Sequence, residues 1–325
     1  MKRRILASFG VLAALVLLPF LTIGYAQNYP TKPVRIIAAS TGTTGDLLAR
    51  YLAQQLTERW GRQVVVENRS GAGAVIAAEV AAKAAADGYT LHLGQLASFS
   101  AAASLYKKLP YDPVKDFAPI TLYAQMPLMF VVHPSVPAAN LREFIEYAKK
   151  RPGTINVSSA GNGTGSHLTT ELLIQVAGLK LVHVPYKGTG AAMTALISGE
   201  AQVSSIVLPS VLPQVKSGKV KAYAITSKNR FAGASDVPTA AEAGLPGFES
   251  TTWFGMFAPA RTPSDLIGRL HRDMVEILRA PASQAWLLAQ GAEPSPSTPQ
   301  ELAAFIKTET AKWKKVIEAS GAKVD

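Results

Sequence analysis

Short apolar runs of strand length alternate with stretches whose apolar residues recur every three to four positions. Val34-Arg35-Ile36-Ile37-Ala38-Ala39 is the first strand-like run, and a Ser/Thr/Gly loop from Ser40 to Gly45 separates it from a helical pattern beginning at Asp46. Leu47, Leu48, Tyr51, Leu52 and Leu56 carry the helical spacing, with Gly61 placed as a C-terminal stop. Val64-Val65-Val66, a loop at Asn68 to Gly73, an alanine-rich helix to Ala86, the turn Asp87-Gly88 and a strand at Tyr89 to Leu93 follow. A second series has the same order: strand Ile155 to Ser158, glycine loop Ser159 to Ser166, helix His167 to Val176, strand Leu181 to Val184, helix Gly188 to Ser198 and strand Ala201 to Val207. This alternation predicts parallel α/β sheets.

Between the two series, Ile120 to Tyr123 and Leu128 to Val132 form extended runs, and Thr251 to Phe257 forms another before the last helices. Two such crossings let a chain leave one lobe and return. The expected division is 27–123 with 250–325 as lobe 1 and 124–249 as lobe 2. Helices at Pro263 to Leu278 and Thr298 to Ser320 complete lobe 1, the latter opening on the box Thr298-x-x-Glu301 with Pro299.

Residues 1–26 stand apart from this pattern. Lys2, Arg3 and Arg4 precede the apolar run Ile5 to Leu18, and Gly24-Tyr25-Ala26 offers small residues around a cleavage point, as in a secretory signal peptide. The run is shorter than the roughly 20 residues a spanning helix needs. Three of the +11 formal charges lie in this leader, leaving +8 on the mature chain. The rest is dispersed over amphipathic stretches such as Lys149 to Arg151 and Lys312 to Lys315, which suits solvated helix faces and a modest pull on anions rather than nucleic-acid binding. The absence of cysteine excludes disulfides, thiolate metal sites, thiol nucleophiles and a lipid-modified cysteine. The expected protein is a free periplasmic monomer without cofactor or metal.

Enzyme signatures fail one by one. Gly71-Ala72-Gly73-Ala74-Val75-Ile76 has isoleucine where a dinucleotide fingerprint needs its last glycine; no Gly-x-Ser-x-Gly is present; the five histidines lack His-x-x-x-His spacing. The four tryptophans read as core, with Trp253 on the crossing run as the candidate to face a cleft. What remains is a pair of glycine and hydroxyl loops, each after a strand and before a helix. Such loops offer backbone N–H groups at the positive end of a helix dipole and favour an anion. The first is Ser40-Thr41-Gly42-Thr43-Thr44-Gly45-Asp46, with Asp46 read as N-cap. The second is Ser158-Ser159-Ala160-Gly161-Asn162-Gly163-Thr164-Gly165-Ser166-His167, with His167 read as a packing or capping residue at the helix start.

The same residues resemble the periplasmic receptors of tripartite tricarboxylate transporters, the Bug-type receptors, over Tyr29 to Asp325. Tyr29-Pro30-x-Lys32-Pro33-Val34-Arg35, Val66-Glu67-Asn68-Arg69, Asp87-Gly88-Tyr89-Thr90-Leu91, Tyr111-Asp112-Pro113-x-Lys115-Asp116-Phe117 and His183-Val184-Pro185-Tyr186-Lys187-Gly188 carry the likeness. The resemblance implies a type II-like two-lobed binding protein, two lobes around a cleft joined by two crossing strands, that binds a small organic carboxylate and hands it to membrane subunits of a transporter. A ligand-sensing adaptor, or an exported hydrolase or lyase on the same fold, are the alternatives. It places ligand contacts on Thr41, Gly42, Thr43, Thr44, Gly45 and Asp46, on Gln95 and Ser98, on Ala160, Gly161, Gly163, Thr164, Ser166 and His167, and on Ser205. Ile206 stands where many members carry aspartate, so the ligand expected is a mono- or dicarboxylate, aliphatic or aromatic, without an amino group.

Overall fold

The computed structural model describes residues 29–324, so the leader predicted over residues 1–26 lies outside the described residues. The first series forms β1 (Val34–Ala38), α1 (Thr44–Trp60), β2 (Val64–Asn68), α2 (Val75–Ala82), β3 (Thr90–Gln95) and α3 (Ala102–Leu105). The chain then enters β4 (Phe117–Val132), a single 16-residue strand where the sequence suggested two separate runs. The second series gives α4 (Leu141–Lys149), β5 (Asn156–Ser159), α5 (Gly165–Ala177), β6 (Val182–Pro185), α6 (Thr189–Ser198), β7 (Val203–Val207), α7 (Leu208–Lys216) and β8 (Lys221–Ile225). The return is β9 (Thr251–Pro259), followed by α8 (Ser264–Arg279), α9 (Pro281–Ala289), β10 (Glu293–Pro294) and α10 (Pro299–Ser320).

The strands run in the order β2-β1-β3-β9-β4-β7-β5-β6, with β8 and β10 also on β4. Each end is a parallel triplet, β2-β1-β3 and β7-β5-β6, as βαβ units require. The centre is antiparallel. β4 pairs with β9 from Phe117 to Pro127 and with β7 from Leu128 to Val132, so one strand serves both halves and its partner changes at Pro127.

Local signals for starts and stops hold where they are purely local. Gly61 ends α1 at φ +60, and Thr298 with Glu301 forms the reciprocal box that opens α10. Leu48, Leu52 and Leu56 are buried under the first triplet, whereas Leu47 is exposed at the edge of the stripe. Trp253 and Trp313 are fully buried, so Trp253 belongs to the core and not to a cleft surface. Helices cover both faces of the sheet in each half. One helix belongs to both: α5 buries Leu168 in the first-half cluster with Trp253 and Leu302, and Leu173 in the second-half cluster with Phe130 and Val157.

His92 of β3 is enclosed between Phe99 and Phe117 and donates from Nδ1 to the Ile37 carbonyl at 2.9 Å. Burial pushes its pKa down to about 4, against the opposing effect of that hydrogen bond. The unfolded chain therefore binds the extra proton first. The stabilisation is complete above the unfolded value near 6.5 and is lost as the pH falls from there to about 4, amounting to about 3 kcal/mol. Urea melts across that window should show the loss, and His92→Phe should flatten the slope; an unchanged slope in the variant would assign the acid sensitivity elsewhere.

Candidate functional site

The two glycine loops are built alike. In the first, Thr43 caps α1: its hydroxyl accepts the Asp46 N–H at 3.3 Å and donates to the Ser40 carbonyl at 2.7 Å. In the second, Thr164 caps α5: its hydroxyl accepts the His167 N–H at 3.4 Å and donates to the Gly161 carbonyl at 2.7 Å. Gly42 and Gly163 precede the caps at φ +73 and +74, a left-handed conformation that favours glycine. Each loop is then tied to the third residue of its helix. The Gly42 N–H donates to the Asp46 carboxylate at 2.9 Å, and the Gly163 N–H donates to His167 Nδ1 at 3.0 Å.

These bonds correct one expectation and explain another. Asp46 is not the N-cap; the helix begins two residues earlier, because Thr43 supplies the capping oxygen and Asp46 reaches back past it. Its carboxylate also accepts from Asn68 Nδ2 at 2.9 Å and pairs with Arg50 Nε at 3.0 Å. Burial alone would raise the Asp46 pKa, but the Gly42 amide, Asn68 and Arg50 outweigh it and hold the group below its usual value. His167 is buried at the helix start, the packing and capping role read from the sequence.

Beneath the second loop, His183 lies against His167, ring centroids 4.1 Å apart and planes 16° from parallel, and its Nε2 meets Ser159 Oγ at 2.6 Å. Ser159 Oγ in turn accepts the Gly161 N–H at 3.2 Å. Burial, reinforced by the neighbouring His167, pushes the His183 pKa down to about 4, so it is neutral at neutral pH. Glu171 completes a trio whose potential metal-ligand atoms lie within 4.8 Å of one another. The rings are nearly parallel, so their in-plane lone pairs run side by side rather than converging on one ion, and His167 Nδ1 is already engaged by Gly163. The trio is arranged as a brace for the glycine loop.

With the loops tied down, the N–H groups of Thr44 and Gly45 in α1, and of Gly165 and Ser166 in α5, are the first-turn donors that no helix carbonyl can reach. A cavity of about 180 Å³ opens at the α5 start. Of the expected residues, Ala160, Thr164, Ser166 and Ser205 line it; Gly161, Gly163 and His167 shape the loop around it. Thr41, Gly42, Thr43, Thr44, Gly45, Asp46, Gln95 and Ser98 do not line it. Ser98 is buried, its hydroxyl turned to the Gln95 carbonyl at 3.3 Å. Sequence reasoning missed Thr189, which opens α6 behind the uncapped Gly188, and Thr252 of β9. The strand-glycine-helix pattern could have pointed to Thr189. Nothing local marks Thr252. No lining residue is charged, so hydroxyls and two helix starts supply the polarity of the cavity.

β9 brings the two loops together. A methyl group added at Gly45 would sit 3.0 Å from Phe254 Cε1, and one at Gly165 would overlap Thr252 Oγ1. Thr252 and Phe254 are two residues apart and point to the same side of the strand, separated along it by roughly 7 Å. Both glycine helix starts are therefore seated on one short stretch of β9.

The receptor profile of the tripartite tricarboxylate transporter family matches residues 48–322. BugT of Bordetella pertussis is 36% identical over 301 residues, covering 92% of each chain. Among solved structures, Rpa4515 of R. palustris with adipate superposes at a TM-score of 0.80 with 33% identity, covering 91% of this chain and all of its own. MatC from Rhodopseudomonas palustris with bound malate superposes at 0.76 with 34% identity, over 89% of this chain and all of its own.

Proposed function

The chain belongs to the tripartite tricarboxylate transporter receptor family, and from that premise we propose that it carries a small organic carboxylate between the first turns of α1 and α5. It is a solute-binding receptor serving a transporter, not an enzyme. The observation that supports the site is the seating of Gly45 on Phe254 and Gly165 on Thr252, which brings the starts of α1 and α5, with their first-turn N–H donors, to one short stretch of β9. A spacing of roughly 7 Å along β9 suits a short dicarboxylate with one end on each helix start. Adipate and malate, held by two structural relatives, are such compounds. Ser166 and Ser205 add hydroxyls to the grip at α5, where Thr164 holds the loop, and Gln95 adds an amide near the grip at α1.

In this reading residues 27–123 with 250–325 make one lobe and 124–249 the other. The change of partner along β4 at Pro127 supports a division in that strand, and bending there closes the lobes on the solute. The leader is removed on export. With no cysteine to lipidate, the mature monomer is free in the periplasm and meets membrane subunits of its transporter only in passing.

Ile206 lines the cavity at the position for which the family resemblance implied aspartate in many members, and no lining carboxylate is present to receive an ammonium group. An amino substituent would be desolvated without a partner. A thermal-shift screen over aliphatic and aromatic mono- and dicarboxylates, followed by calorimetry, should find stabilising ligands and a preference for succinate over aspartate of about tenfold or more. Tighter binding of aspartate would refute the exclusion of amino acids, and silence across the whole panel would refute the carboxylate site.

A further inference from the structure

A second concavity, about 590 Å³, runs along the seam between α5 and α10, two turns along α5 from the first cavity and sharing no lining residue with it. Its walls come from different halves of the molecule. Leu172 and Gln175 belong to α5, whereas Lys307, Lys312, Lys315 and Val316 belong to α10. Lys307 and Lys315 lie eight residues apart on one helical stripe, exposed, and neither forms an ion pair among the described residues. Lys312 is fixed between them by its pair with Glu309 and by the Trp313 ring, 4.7 Å from its ammonium. On the opposite wall Leu172 is the apolar residue of α5, and Val176, one turn further along the helix and outside the lining, is exposed.

We propose that this groove docks an acidic, amphipathic peptide segment of a protein partner. Lys307 and Lys315 line the groove without an acidic partner among the described residues, so they complement a partner's carboxylates, and Leu172 on α5 receives an apolar side chain. The groove is concave and bounded by two helices, which suits an elongated segment better than a flat bilayer surface. Because its walls belong to both halves, its width follows their relative placement, and the partner reads that placement as well as the charge. This surface is additional to the carboxylate site and does not depend on which solute fills it.

Fluorescence anisotropy with a fluorescein-labelled peptide of repeated Leu-Glu-Glu, added to the mature protein, tests the assignment. Binding should weaken with salt, and Lys307→Glu with Lys315→Glu should lower the affinity about tenfold or more. Lys149→Glu with Lys150→Glu, the same charge change on the exposed end of α4, should alter it by less than about twofold. Equal losses in the two variants would reduce the effect to net charge and overturn the proposal. So would absence of peptide binding, or displacement of the peptide by phosphatidylglycerol vesicles, which would make the partner a lipid surface. Circular dichroism of each variant separates loss of docking from loss of fold.

Discussion

Gly165→Val is expected to weaken carboxylate binding about 1,000-fold, close to 4 kcal/mol, while leaving the fold intact. The position is the first residue of α5, its φ is ordinary and valine is tolerated in a first helical turn, so local strain is small. The space above it is not free. Even a methyl group would overlap Thr252 Oγ1, and Thr252 is β-branched, so two of the three staggered positions on its Cβ are filled and rotation gives little relief. The helix start must back away from β9, carrying the Gly165 and Ser166 donors with it. A displacement of about 1 Å at donors meant for a charged oxygen is enough to lose most of their value. Gly165→Ala combined with Thr252→Ala is the complementary variant: the two methyl groups would then stand at ordinary contact distance, and affinity should return to within about tenfold of the native protein. Calorimetry with the best ligand of the panel measures both. Native affinity in Gly165→Val would show that the α5 start is not the anion grip.

Gly94→Val should destabilise the protein by about 4 kcal/mol, read as a lowered urea midpoint with little change in slope. Gly94 on β3 lies directly opposite Gly255 on β9. The absence of side chains at this cross-strand pair leaves room for Phe99 and Phe257, which stack at 4.2 Å with planes 19° apart. A methyl at Gly94 would overlap Phe99 and stand 2.7 Å from Phe257 Cε2. Neither ring can move freely, because Phe99 also meets Phe117 at 4.9 Å and both rings are buried. Overpacking of this kind forces side chains off their rotamers or spreads the strands. A loss under about 1 kcal/mol would mean that the stack relaxes easily, contrary to its close packing. The effect reaches the site as well, since Gln95 follows Gly94 and lies beside Gly45.

The order of strands and helices in each half was legible because apolar periodicity is a property of neighbouring residues. The resemblance of the two halves was legible as an echo of element order. Its depth was not: Thr43 and Thr164, Gly42 and Gly163, Asp46 and His167 occupy matching places with matching bonds, although aspartate and histidine share no sequence likeness. Each simply offers an acceptor where a glycine N–H must be held. The start of α1 was misplaced for the same reason. Aspartate favours N-caps, but this one is held by Asn68, 22 residues away, and by Gly42 behind the cap, contacts that local preference does not record.

From its sequence alone, the protein had its α/β class, its family resemblance and the two glycine loops at helix starts, since strand and helix periods and glycine turns are each written within a few consecutive residues. Tertiary structure decided which of those loop residues face a cavity and which brace it. It made β4 one strand shared by both halves, divided α5 between two cores and brought Thr252 beneath Gly165. Those outcomes depend on which distant segments pair and pack, and the free energy that selects among them comes from burial across the whole chain rather than from any local preference.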